Sequence, residues 1–168
     1  MLRVFLIGFM GAGKTTLGKV IAKKMKLQFL DLDTLIVRSQ GKSITQVFED
    51  EGESGFRKIE RKVLEELLKS DNYILACGGG TPCYKDNMGR MNAKGVSLFL
   101  DVSEEELIKR LSGNKFHRPL LSDLNDQELK EYIHKKLEGR QACYRKSKIW
   151  INPLATSVDT IIMSLRYS

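Results

Sequence analysis

Leu2–Ile7 is an apolar run, rich in branched side chains, that stops at a glycine. Such a run predicts a strand buried on both faces of a parallel sheet. The pattern then changes period. Over 14–26, Leu17, Val20, Ile21 and Met25 recur at helical spacing with lysines opposite, predicting an amphipathic helix. Gln28–Leu32 reads as a second short strand, and helical patterns fill roughly 34–39, 44–50 and 54–69. In the last of these, Phe56, Ile59, Val63, Leu64, Leu67 and Leu68 form one stripe. Tyr73–Cys77, stopped by Gly78-Gly79-Gly80, is a third strand, and Val96–Leu100 a fourth. Ser103 and Glu106 have the spacing of a capping box that opens a helix to about Leu111. Residues 112–124 lack periodicity and carry Gly113, Asn114 and Pro119 among basic residues, which predicts a mobile loop. A long helix over about 126–147, a strand at Ile149–Asn152, Pro153 and a closing helix complete the chain. Strands joined by helical crossovers predict an α/β fold of three layers, a central five-stranded parallel sheet flanked by helices. No repeat or linker divides the chain, so one domain over 1–168 is expected.

Composition excludes several classes. At 42% hydrophobic and 29% charged, the chain is not disordered in general. No apolar run approaches the ~20 residues of a membrane helix. Lys14 and the glycines before it interrupt the N-terminal stretch too early for a signal peptide. Cys77, Cys83 and Cys143 are an odd number without C-x-x-C spacing, so reduced thiols, a cytoplasmic setting and no structural zinc are expected. The net charge of +7 admits three kinds of anionic partner: nucleic acid, a membrane surface or a phosphorylated small molecule.

The motifs choose among them. Gly8-Phe9-Met10-Gly11-Ala12-Gly13-Lys14-Thr15 satisfies G-x-x-x-x-G-K-[ST] between a predicted strand and a predicted helix. Glycines let the backbone curl around phosphates with N–H groups pointing inward, and the helix adds its positive end. Lys14 supplies a point charge for the β- and γ-phosphates, and the Thr15 hydroxyl is a ligand for Mg²⁺. A GTPase would carry Asn-Lys-x-Asp; Asn114-Lys115-Phe116-His117 begins so and then fails. Asp101, after Leu98-Phe99-Leu100, is one candidate to hold the metal, but its place before Ser103 suits a helix start. Asp31 and Asp33 fit better. Two apart in an extended segment, they point one way while Leu30 and Leu32 point the other. One would hold Mg²⁺ through water; the other would hydrogen-bond an acceptor hydroxyl and take its proton. Asp33 could instead cap the helix that follows it.

Taken in order, the segments Gly-Phe-Met-Gly-Ala-Gly-Lys-Thr-Thr at 8–16, Asp31-Leu32-Asp33, Gly55-Phe56-Arg57-Lys58-Ile59-Glu60, Gly78-Gly79-Gly80, Arg118-Pro119-Leu120-Leu121 and Arg140 with Tyr144 resemble the shikimate kinases from Leu2 to about Ser164. The resemblance implies a P-loop kinase fold with a mobile lid at about 112–124. It implies ATP-dependent, Mg²⁺-assisted phosphorylation of the 3-hydroxyl of shikimate on the route to chorismate and aromatic amino acids. ATP would bind Gly11, Ala12, Gly13, Lys14, Thr15 and Thr16, with Arg110 against the adenine and Arg118 reaching in from the lid. Asp33 matches the acceptor-hydroxyl ligand and proposed base, and Asp31 with Thr15 the metal side. Arg57, Gly79 and Arg140, with Gly78 and Gly80 beside them, match the shikimate positions.

The chemistry is consistent with that match. Arginine forks fit a carboxylate bidentately. Arg57 can equally be an i,i+3 partner of Glu60, which would orient it, and Arg140 can be one more cation on a basic helix face. Kinases of gluconate or of nucleoside monophosphates share the cradle and stay open as rivals. A nucleic-acid binder would need aromatics interleaved with its basic residues, which 135–148 lacks. The partners expected are therefore ATP and shikimate, without nucleic acid or membrane, for a protein acting as a monomer.

Overall fold

The computed structural model describes residues 2–113 and 121–167. Five strands, β1 (Arg3–Ile7), β2 (Gln28–Asp31), β3 (Tyr73–Ala76), β4 (Val96–Leu100) and β5 (Ile149–Ile151), form one parallel sheet in the order β2-β3-β1-β4-β5. The crossovers are α1 (Lys14–Met25), α2 (Leu32–Gln40), α3 (Ile44–Leu67), α4 (Asn87–Lys94), α5 (Glu104–Ser112) and α6 (Asp126–Tyr144), with α7 (Val158–Arg166) closing the chain. In the centre, Phe5 stands level with Leu75 on one side and Ser97 on the other.

Successive strand residues face opposite layers. Val4, Leu6, Ile74 and Leu98 pack on Ile21 of α1, Leu107 of α5, Leu129 and Ile133 of α6 and Ile161 of α7. Phe5, Ile7, Leu75 and Phe99 pack on Leu32 and Ile36 of α2, Phe56 and Leu64 of α3, Met91 of α4 and Tyr144 at the end of α6. Helix α6 thus enters both layers. Each fully buried Leu or Ile contributes ~1.5–3 kcal/mol, so continuous apolar strands are what a sheet covered twice requires.

Several expectations need correcting. Helix α1 does not bury Val20, which is 42% exposed; it approaches the sheet at Gly18. A Cβ there would lie 2.6 Å from the Phe29 ring and 2.7 Å from Leu6, so the small residue marks the contact face. The 44–50 and 54–69 patterns are two arms of α3 around a break at Gly52, φ +65°, with Phe48 and Phe56 stacked 4.3 Å apart across it. Helix α4 and the 3₁₀ turn Thr81–Cys83 have no counterpart in the predicted elements. Ser103 caps α5 by accepting from the Glu106 N–H, but the Glu106 side chain is turned to Arg110 and closes no box. Both ends of the segment expected as a mobile loop, 112–124, are ordered. Ser112 ends α5, while Leu121 is fully buried in the first layer with Leu124 packed against that layer, so these two leucines belong to the core.

The topology also fixes where chemistry can occur. Strand order reverses around β1, and ligands of open α/β sheets bind at the carboxyl ends of strands at such a switch point. There the loop after β1, the end of β2 and the loop after β3 lie side by side.

Candidate active site

The loop after β1 turns through Gly11 (φ +82°) and Gly13 (φ +95°), conformations that other residues resist. Gly13 leads directly into α1, whose first turn presents its N–H groups and positive end to the loop. Lys14 Nζ donates to the carbonyls of Gly8 and Phe9, each at 2.8 Å, which holds the ammonium over the loop. Ala12 is buried and its N–H bonds the Phe9 carbonyl at 3.2 Å, so this residue shapes the turn. Arg110 crosses from α5: Nε bonds Glu106 at 2.7 Å and Nη1 the Gly11 carbonyl at 2.9 Å. Gly11, Gly13, Lys14, Thr15, Thr16 and Arg110 line one side of a cavity of about 470 Å³. Asp31, Asp33, Gly78 and Gly79 line the other.

Strand β2 ends at Asp31, and that residue rather than Asp33 caps α2. Its Oδ1 accepts from the Asp33 and Thr34 N–H groups at 3.1 and 3.4 Å. The strand alternation drawn over 30–33 therefore does not hold, because Leu32 and Asp33 are already helical. The cap nevertheless aims Oδ2 at the Thr15 hydroxyl, which donates to it at 3.3 Å. Asp33, one residue into the helix, turns into the cavity. It keeps surface open to the cleft, yet the surrounding walls dehydrate it. Burial first, then the charges of Asp31 and Glu60, push its carboxyl above the ordinary carboxylate range, and Lys14 and Arg57 only partly offset this.

Three glycines after β3 gather the remaining groups. An added Cβ on Gly80 would collide with the Arg57 guanidinium. One on Gly79 would lie 2.9 Å from Arg140 Nη1, and one on Gly78 would lie 3.0 Å from Glu60 and 3.8 Å from Asp33. Both arginines reach this loop from separate helices, α3 and α6. Arg57 Nη1 donates to Glu60 at 2.8 Å while its guanidinium lies 5.3 Å from the Phe56 ring. Glu60 itself is 1% exposed and accepts from the Thr81 hydroxyl at 2.5 Å. A second cavity of about 630 Å³ opens beside the loop, lined by Arg57, Gly80, Cys83, Lys135, Lys136 and Arg140.

Sequence reasoning named Arg57 and Glu60 as a surface pair but missed the burial of Glu60. The signal was present: Glu60 sits at i+4 from Phe56 and i−4 from Leu64, within the apolar stripe. Thr81 had no signal of its own. Asp101 is exposed in a separate depression with Glu104 and His134, away from the phosphate loop. His134 pairs with Glu104 at 3.1 Å on the surface. Cys77 is a fully buried packing thiol whose proton burial holds on. Cys83 and Cys143 lie together: the hydrogen bond between them raises Cys83 and lowers Cys143. Arg118 and most of the expected lid lie outside the described residues.

The chain is similar to known proteins over nearly its whole length. The shikimate kinase family model matches residues 10–164. A shikimate kinase of Phocaeicola vulgatus is 47% identical over 148 residues, covering 88% of this chain and 85% of that protein. The crystal structure of shikimate kinase from Bacteroides thetaiotaomicron superposes with a TM-score of 0.90 at 38% identity, covering 99% of this chain and 97% of that one. That of the Acinetobacter baumannii enzyme in complex with shikimate does so at 0.85 and 30%, covering 99% and 91%. With a family model matched over nearly its whole length and a relative this similar, the chain belongs to the shikimate kinase family.

Proposed function

We propose that the protein transfers the γ-phosphoryl group of ATP to the 3-hydroxyl of shikimate, giving shikimate 3-phosphate and ADP. The observation that carries this reading is the convergence of two guanidinium groups and two carboxylates, Glu60 and Asp33, on Gly78–Gly80, next to a phosphate loop. A small acid bearing hydroxyls needs that set: Arg57 and Arg140 take its carboxylate, and Asp33 accepts from its reacting hydroxyl. Glu60 holds Arg57 Nη1 at 2.8 Å, while Nη2 lies 3.7 Å from the exposed Glu53, a long contact that an incoming carboxylate would replace.

On the nucleotide side, Gly11–Thr16 hold the phosphates through backbone N–H groups, and Lys14 adds a positive charge where charge accumulates in the transition state. Arg110 borders the nucleotide on the α5 side. The oxygens of Thr15 and Asp31 fit a hard divalent cation. Among the described residues no group of three or more His, Cys, Asp or Glu forms a full cage, which suits an ion that keeps water and phosphate oxygens. Thr15 and Asp31 would hold Mg²⁺, which when bound would neutralise phosphate charge. Asp33 orients the hydroxyl in line with the γ-phosphorus and receives its proton as the new O–P bond forms and the bond from the γ-phosphorus to the β,γ-bridging oxygen breaks, releasing ADP.

Arg118 is proposed to add positive charge to the transferring group. Arg118→Ala is expected to lower kcat ~10–100-fold with the melting temperature and the KM for shikimate unchanged. Wild-type turnover would remove it from the mechanism. Among the described residues no helix is long and apolar enough to cross a membrane. A monomer acting on small molecules alone, in the cytoplasm, completes the reading.

One coupled assay of ADP release, with shikimate, gluconate, AMP and RNA side by side, tests the assignment. ADP release is expected to rise with shikimate alone. A rate with shikimate no greater than the rate without acceptor overturns it, and a larger response to gluconate or AMP transfers the site to a sister kinase.

A further inference from the structure

We propose that Tyr144 is a positioning residue for shikimate, holding the Arg140 guanidinium and the Gly79 carbonyl at a fixed separation. The inference rests on the reading of Arg140 as a ligand of the acceptor carboxylate. The two arginines of the pocket are held in different ways. Arg57 has a buried carboxylate, Glu60, at 2.8 Å. Arg140 forms no such ion pair among the described residues. Its guanidinium lies 5.6 Å from the Phe9 ring, a contact that leaves its charge uncompensated. Among the described residues the hydroxyl of Tyr144 is a hydrogen-bonding partner of this guanidinium.

That hydroxyl is well placed for the task. Tyr144 lies one helical turn beyond Arg140 at the end of α6, so both side chains share a face. Its ring is 1% exposed and packs 5.2 Å from Phe99 of β4, which fixes the phenol axis. At the tip, the O–H donates to the Gly79 carbonyl at 2.6 Å. A Cβ on Gly79 would stand 3.4 Å from this oxygen and 2.9 Å from Arg140 Nη1, so hydroxyl, guanidinium and glycine meet at one point. A phenol has one proton and two acceptor sites, whereas a guanidinium only donates. With the proton committed to Gly79, the remaining lone pairs suit a donor, and the neighbouring Arg140 guanidinium supplies one. Burial keeps the phenol protonated well beyond neutral pH, so the donor to Gly79 persists.

A neutral holder has a consequence that a carboxylate would not. Tyr144 orients Arg140 without neutralising it, leaving a full positive charge for an incoming carboxylate. It also ties that charge to the glycine loop, so the two sides of the pocket cannot drift apart.

The test is a double-mutant cycle in the intact enzyme, using Tyr144→Phe, Arg140→Ala and both together, with the KM for shikimate, the KM for ATP, kcat and the melting temperature measured for each. Phe keeps the ring against Phe99 and removes only the hydroxyl. Tyr144→Phe is expected to raise the shikimate KM ~3–10-fold, the span of one net hydrogen bond, with the ATP KM unchanged and melting within a few degrees of wild type. In the double variant the KM should equal that of Arg140→Ala alone, because nothing is left to position. A wild-type shikimate KM in Tyr144→Phe, additive effects in the double variant, or an equal rise in the ATP KM overturns the proposal. If Arg140→Ala itself binds shikimate normally, the reading of Arg140 fails and the proposal fails with it. A raised KM in Arg140→Ala beside an unaffected Tyr144→Phe rejects Tyr144 alone.

Discussion

Asp33→Asn is expected to lower kcat ~10²–10⁴-fold, the usual contribution of a positioned acid or base, and at the same time to raise the melting temperature at pH 8. The two effects have one cause. The Asp33 carboxyl is held above its ordinary value of 3.8, by burial first and then by Asp31 and Glu60. The folded protein therefore binds this proton more tightly than the unfolded chain. As pH rises from 3.8 through the raised folded value, the unfolded chain ionises first and folding stability falls. Above that window the cost is fully present; below 3.8 it is absent. Asparagine keeps the shape and removes the charge. The gap in melting temperature between variant and wild type should thus open across that window, by ~2–4 °C for each kcal/mol relieved, and close in stronger acid. Turnover should fall on the acid side within the same window, since the neutral carboxyl accepts no proton from the hydroxyl. A variant with wild-type kcat would remove Asp33 from the chemistry. A variant no more stable at pH 8 would mean that Lys14 and Arg57 fully compensate the charge.

Gly80→Ala should fold normally and still lose ~10²–10³-fold in kcat/KM for shikimate, as expected when a buried charged partner is displaced. At φ −94° and ψ −15° the Gly80 backbone is one that alanine adopts freely, so the substitution costs nothing locally. The difficulty is the Arg57 guanidinium, whose Cζ would lie 2.7 Å from the new methyl. A flexible side chain yields before a backbone does, so Arg57 leaves Glu60 and the acceptor site while the fold stays intact. Gly41→Ala is the matching control. It has open space around it but φ +65°, so it should reduce stability by about 1 kcal/mol with the shikimate KM unchanged. Wild-type affinity in Gly80→Ala would show that Arg57 does not hold the acceptor.

The strands and the phosphate loop were legible because their signals are local: five short apolar runs and one glycine-rich spacing. Helix α4 was not, since Asn87–Lys94 buries only Asn87, Met88 and Met91, too few apolar positions to show a period. Val20 was misplaced for a related reason. Hydropathy favours the larger residue, whereas close approach to β2 required Gly18. Asp31 and Asp33 were found together but their roles in starting α2 were exchanged, because capping depends on where the strand ends and either residue satisfies the preference. Arg140 drew attention only through family likeness, since its neighbours 135, 136, 145 and 146 are equally basic. Distinguishing it needs the third dimension, where Gly79 and Tyr144 stand against it.

Helix α6 anchors Leu129 and Ile133 in one hydrophobic layer and Tyr144 in the other, with Arg140 between them. Arg140, the proposed acceptor ligand, is therefore tied to both cores, and so is the phosphate loop, whose strand β1 sends Val4 and Leu6 into one layer and Phe5 and Ile7 into the other. Phe9 and Ala12 of that loop are themselves buried in the first layer, so both halves of the pocket share one support. Core substitutions remote from both substrates should accordingly weaken acceptor and nucleotide binding together, on whichever side of the sheet they fall.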